Sequence, residues 1–146
     1  MLPSSKQVIV IAQVDITAAA TQTANIDTLG YDFMSLDVIM GTSDDATNNP
    51  STFKLAESDD TVVTNFGDIT AFVGDGTGGW TIPAADTANT TGFKFNADLR
   101  GRKRYLKLTI AAVGTNQLTT AIANLHRGDE APVNTTDAGV VALVEG

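Results

Sequence analysis

Between residues 33 and 40 the side chains alternate: Met34, Leu36, Val38 and Met40 fall on one face of an extended chain, Ser35 and Asp37 on the other. A period of two belongs to a strand with one face on a core and one in solvent, because a helix would scatter the same residues around its axis. The stretch therefore demands a sheet, and a sheet needs partners. Phe53 and Leu55 around Lys54, Phe93 and Phe95 around Lys94, and Leu106, Leu108 and Ile110 around Lys107 and Thr109 repeat the pattern.

The intervening residues punctuate rather than connect by helices. Residues 41 to 51, with Asp44, Asp45, Asn48, Asn49 and Pro50, read as a long exposed loop, and residues 74 to 79 as a flexible glycine-rich one. Residues 6 to 15, rich in Val and Ile, are expected to form a strand buried on both faces or central to a sheet. Residues 18 to 25 are polar and alanine-rich without an apolar stripe and read as a loop rather than a short helix. Residues 53 to 66 suggest a hairpin, with Val62, Val63 and Phe66 opening its second arm, residues 69 to 73 a further strand, and residues 117 to 125 the last one before Pro132. About eight short strands without helical crossovers predict an all-β, single-domain β-sandwich or jelly roll. The expected organisation is an N-terminal arm over residues 1–5, the sandwich over 6–132 and an extended C-terminal tail over 133–146, whose apolar Val140, Val141 and Leu143 should dock, on this chain or a neighbouring one.

Charge and composition narrow the function. With 146 residues the chain can bury a core, and with no cysteine it has neither disulfides nor thiolate metal ligands to supplement it. A net charge of −8 repels phosphate and argues against nucleic acid as a partner. The longest apolar run, Val8 to Ala12, falls far short of the roughly 20 residues of a spanning helix, and the N-terminus lacks a signal-peptide pattern, so neither membrane nor export is expected.

The motifs that hint at chemistry do not hold together. Gly74, Gly76 and Gly79 match G-x-G-x-x-G, but Trp80-Thr81-Ile82-Pro83 follows where a helix should start, and Asp75 sits where phosphate would. Arg127-Gly128-Asp129 reads as a turn, and Asn89-Thr90-Thr91 and Asn134-Thr135-Thr136 as plain loops. His126 is the only histidine, so a histidine metal cluster is ruled out, and no serine has the context of a nucleophile. The Asp44-Asp45 and Asp59-Asp60 pairs lack the glycine and terminal glutamate of a calcium loop. No enzyme activity, cofactor or metal is expected.

One stretch departs from the rest. Arg100-Gly101-Arg102-Lys103-Arg104, with Lys107, holds five of the nine basic residues, which suits either a solvated hairpin beside Asp98 or a contact with an acidic patch on a partner. Arg100, Arg102, Lys103 and Arg104, together with Val140, Val141 and Leu143, are the candidate interface residues.

Asp27-Thr28-Leu29-Gly30-Tyr31-Asp32, Lys54-Leu55-Ala56-Glu57-Ser58-Asp59-Asp60 and Gly101-Arg102-Lys103-Arg104-Tyr105-Leu106-Lys107-Leu108, in this order and spacing, resemble small virion proteins of tailed bacteriophages over roughly residues 6 to 133. The resemblance implies a capsid decoration or cement protein on the virion surface. Its partners would be the major capsid protein and further copies of itself, as a homodimer or homotrimer, with neither nucleic acid nor membrane involved. Two alternatives stay open: a head-tail connector or tail component, and a carbohydrate-binding jelly roll using Trp80, Tyr31 and the polar loops.

Overall fold

The computed structural model describes residues 5–17, 20–111, 117–127 and 142–145. Its strands are β1 (Ser5–Ile16), β2 (Thr21–Asp27), β3 (Phe33–Met40), β4 (Thr52–Ser58), β5 (Gly67–Val73), β6 (Thr91–Asp98), β7 (Tyr105–Ala111), β8 (Gln117–His126) and β9 (Ala142–Glu145). They form two sheets, ordered β1-β8-β3-β6-β9 and β2-β7-β4-β5. The first eight strands thus follow the order of a jelly roll, in which consecutive strands cross between sheets except at the β4–β5 hairpin. All pairs are antiparallel except β6 with β9, which run parallel. Residues 142–145 of the expected tail are therefore part of the larger sheet.

The alternation of β3 is realised as predicted: Met34, Leu36, Val38 and Met40 are all at most 1% exposed, facing inward between the sheets. Across the gap, aromatic side chains from both sheets interlock. Phe53 on β4 lies 5.2 Å from Trp80, 5.2 Å from Phe93 and 5.1 Å from Phe95, mostly edge to face, and Phe72 on β5 lies 6.0 Å from Phe95. Such pairs add about 0.5–1.5 kcal/mol each beyond the area they bury.

Several expectations are corrected. Among the described residues β1 is not central but an edge strand, paired with β8 alone, and Ile9 on it is 70% exposed. An apolar run reports affinity for a core, not which strand lies beside it. Residues 21–27 form β2 rather than a loop, since a polar strand at the other sheet's edge needs only backbone pairing to β7 and one anchor, the fully buried Ile26. The second arm of the hairpin is β5, not residues 62–66, which hold an exposed turn of 3₁₀ helix at Val63–Asn65.

The glycine-rich stretch is a tight turn packed on its own hairpin. Trp80 N donates to Val73 O at 3.2 Å and Asp75 N to Trp80 O at 2.7 Å, while Asp75 itself adopts φ 55° and accepts Ile82 N at 3.0 Å. A Cβ on Gly79 would sit 1.9 Å from Val73 O, and one on Gly74 2.9 Å from Phe53 O, so close backbone approach explains these glycines.

Candidate interaction surface

The basic loop joins β6 to β7 at one end of the sandwich. It is anchored from below: Leu99 is 6% exposed and its N–H donates to Asp32 O at 2.8 Å, Arg102 N–H returns to Leu99 O at 3.0 Å, and Gly101 takes the left-handed turn at φ 86°. The turn between β2 and β3 locks onto the loop, because Thr28 donates both its N–H, at 3.0 Å, and its hydroxyl, at 2.6 Å, to Arg104 O.

Each of the four candidate cations meets a carboxylate of the same chain. Arg100 forks onto Asp98 at 3.0 and 2.8 Å and lies over the Phe33 ring. Arg104 forks onto Asp27 at 2.9 and 2.7 Å and lies over Tyr105. Arg102 reaches Glu57 at 3.7 Å and Lys103 reaches Asp59 at 3.9 Å, with the Lys103 N–H also donating to Glu57 at 3.2 Å. The loop is thus charge-matched by carboxylates of its own chain. Paired hydrogen bonds from Arg104 hold the Asp27 carboxyl at about 2, and those from Arg100 hold Asp98 at about 2, well below the usual carboxylate range.

Around this loop stand apolar side chains that the sequence did not single out. Leu29, at the tip of the β2–β3 turn, is 66% exposed, and Val62 and Val63, between β4 and β5, are 53% and 74% exposed. Their backbones are held: Leu29 N–H donates to Asp27 at 3.1 Å, Val62 N–H to Asp60 at 2.9 Å, and Lys107 reaches Val63 O at 3.4 Å while lying over Phe66. The signal was available in Thr28-Leu29-Gly30, where a large aliphatic residue sits between two turn residues.

The remaining candidates separate from this end. Val140 and Val141 lie outside the described residues, and Leu143 stands in β9 opposite Lys94, with Glu145 opposite Asn96. The acidic pairs serve local turns: Asp45 accepts from Thr47 N at 2.8 Å, and Asp60 accepts from Asn65 at 2.8 Å. No group of three His, Asp or Glu gathers to hold a metal among the described residues. His126 closes β8, its carbonyl accepting from Asp32 N at 3.0 Å. Trp80, a stacking platform in the sugar-binding alternative, is engaged edge to face with Phe93 at 6.0 Å and Phe95 at 5.3 Å, and Tyr31 lies under Arg127.

No protein-family model matches the chain, and no curated protein matches it in sequence. Among solved structures, a chain of the infectious bursal disease virus Gx strain is 12% identical with a TM-score of 0.50, over 89% of this chain and 33% of the viral one. The SPBc2 prophage-derived protein YomS is 12% identical with a TM-score of 0.44, over 86% of this chain and 95% of its own. The infectious bursal disease virus VP2 subviral particle is 13% identical with a TM-score of 0.47, over 86% of this chain and 33% of that one. The chain spans about a third of the length of the Gx-strain chain, and what the two share at this identity is the fold: a two-sheet β-sandwich.

Proposed function

We propose that the chain is a structural virion protein that decorates and stabilises the capsid of a tailed phage, bridging capsid subunits with the end of the sandwich that carries the basic loop. The observation that carries this reading is a braced platform, Asp27–Arg104 and Asp98–Arg100 among its braces, from which Leu29, Val62 and Val63 project into solvent. Loops pinned by hydrogen bonds lose little freedom on docking, and exposed aliphatic groups gain by leaving water. A fold shared with a virus chain supports the reading at a coarse level. The charge-matched loop then serves as a rigid, polar rim around apolar contacts.

Quantitative mass spectrometry of purified particles tests it. A copy number equal to the major capsid protein's, or a simple fraction of it, is expected. A handful of copies per particle would move the chain to the tail or connector, and absence from particles would end the virion reading. Within particles, replacing Leu29, Val62 and Val63 with serine should release the protein at salt concentrations that leave the wild type bound.

A further inference from the structure

Among the described residues the two sheets end on four edge strands, β1, β9, β2 and β5, and three of them are guarded against the addition of another strand. β1 slips register twice against β8 and carries Lys6 and Asp15. β5 meets β4 through a register shift between Lys54 and Ala56, and its Asp68 is tied to Lys54 at 2.8 Å. β9 is four residues long and carries Glu145. Bulges, charges and shortness are what keep an open row of N–H and C=O groups from pairing with another chain.

β2 has none of these guards. Its seven residues pair with β7 in unbroken register, Thr21 with Ala111 through Asp27 with Tyr105. From Thr21 to Ile26 it holds neither a charge nor a proline. No other strand joins its outer edge among the described residues, and no backbone hydrogen bond from outside the ladder with β7 reaches it there. Thr21, Thr23 and Asn25 are exposed, and their side chains make no hydrogen bond among the described residues.

Charge selects the occupant. A two-fold contact sets each patch against itself, so in a chain of net charge −8 it forms where like charges do not meet, and β2 is the edge that meets this condition. We propose that β2 pairs antiparallel with β2 of a second copy of this chain, joining two four-stranded sheets into one of eight strands. For inner faces to meet inner faces the two-fold must pass through a residue, and at Ala24 it uses the whole strand. Thr23 of each copy then faces Asn25 of the other, Gln22 faces Ile26, and Thr21 faces Asp27. Ala24, packed against the rim of the core, is the small residue at the axis. The two Asp27 carboxylates stand six residues apart along the strands, about 20 Å, each held by its own Arg104. Main-chain hydrogen bonds supply the affinity, and the matching of faces sets the register. The proposal concerns copies of the chain alone and stands apart from the virion reading.

Charges placed at exposed positions test it without touching the core. Thr23→Asp with Asn25→Asp sets aspartates opposite aspartates, and Thr23→Lys with Asn25→Lys sets lysines opposite lysines, which destabilises directly opposed strands. Sedimentation equilibrium should show the wild type as a dimer, each double variant alone as a monomer with an unchanged circular dichroism spectrum, and their equimolar mixture as a dimer again. In this cysteine-free chain Ala24→Cys should give a disulfide-linked dimer on oxidation, since the two positions face each other at the axis. This second variant leaves the proposal testable if the charged ones fail to fold. A wild type that sediments as a monomer at every concentration, a dimer that both double variants retain, or a dimeric Ala24→Cys that forms no disulfide overturns the proposal.

Discussion

β1 and β3 flank the same strand, β8, and meet opposite fates. β3 holds an unbroken register with β8 and β6 on its two sides, and its inward side chains are sealed. β1 carries the denser apolar run, yet its register with β8 slips between Ile9 and Ile11 and again between Ile11 and Val14, and its outer edge has no partner strand among the described residues. Extra residues in an edge strand bend it and interrupt the row of free N–H and C=O groups that would otherwise template another chain. What the pair teaches is that alternation reports a buried face, whereas a continuous apolar run leaves the strand's position to be decided by topology.

The contrast yields graded expectations. Leu36→Ala, on the sealed face of β3, should cost about 3 kcal/mol in denaturant unfolding, since the cavity is enclosed by both sheets. Ile11→Ala, at the buried point between the two slips of β1, should cost less, about 2 kcal/mol, because an edge can relax into the space. Equal losses would break the distinction between centre and edge. Ile9→Ser should change stability by no more than about 0.5 kcal/mol in the isolated protein. A clear loss would break the comparison, by showing that the outer face of the edge strand carries packing of its own.

The smallest effect belongs to the end where β3 begins and β2 stops. Asp27 and Asp98 titrate at about 2 when folded, below the ordinary 3.8, so their pairs stabilise the protein above pH 3.8 and cease to do so as pH falls towards 2. Arg104→Ala should therefore lower stability slightly at neutral pH, and the difference from wild type should vanish near pH 2. A difference that persists in acid would assign the role of Arg104 to the stacking of its guanidinium on Tyr105.

Much of this fold could be read from side-chain alternation, which marks β3, β4, β6 and β7 because each presents one face to the core. β2 escaped because a strand whose face is mostly wet carries no such mark, and its threonines suit a loop as well. The pairing of β1 with β8 was beyond reach, since nothing local to Ser5 names His126 as its partner. The same limit governs the candidate surface. The cationic loop was visible in five consecutive residues, but its neutralising carboxylates, Asp27, Glu57 and Asp59, come from two other turns that only the folded chain brings near. Trp80 looked available for a ligand because a lone tryptophan beside glycines reads as exposed, and the turn instead folds it onto Phe53.

The pairing of the first strand with the eighth also sets a timetable. On a ribosome, residues 5 to 16 emerge about a hundred residues before residues 117 to 126, the strand they pair with among the described residues. Until then the apolar run of the first strand lacks the strand it pairs with. Topologies dominated by such distant pairings fold on the millisecond-to-second scale rather than in microseconds. Slowed elongation near residue 126, or a holding chaperone on the first strand, should thus affect yield more than any change at the sandwich's ends.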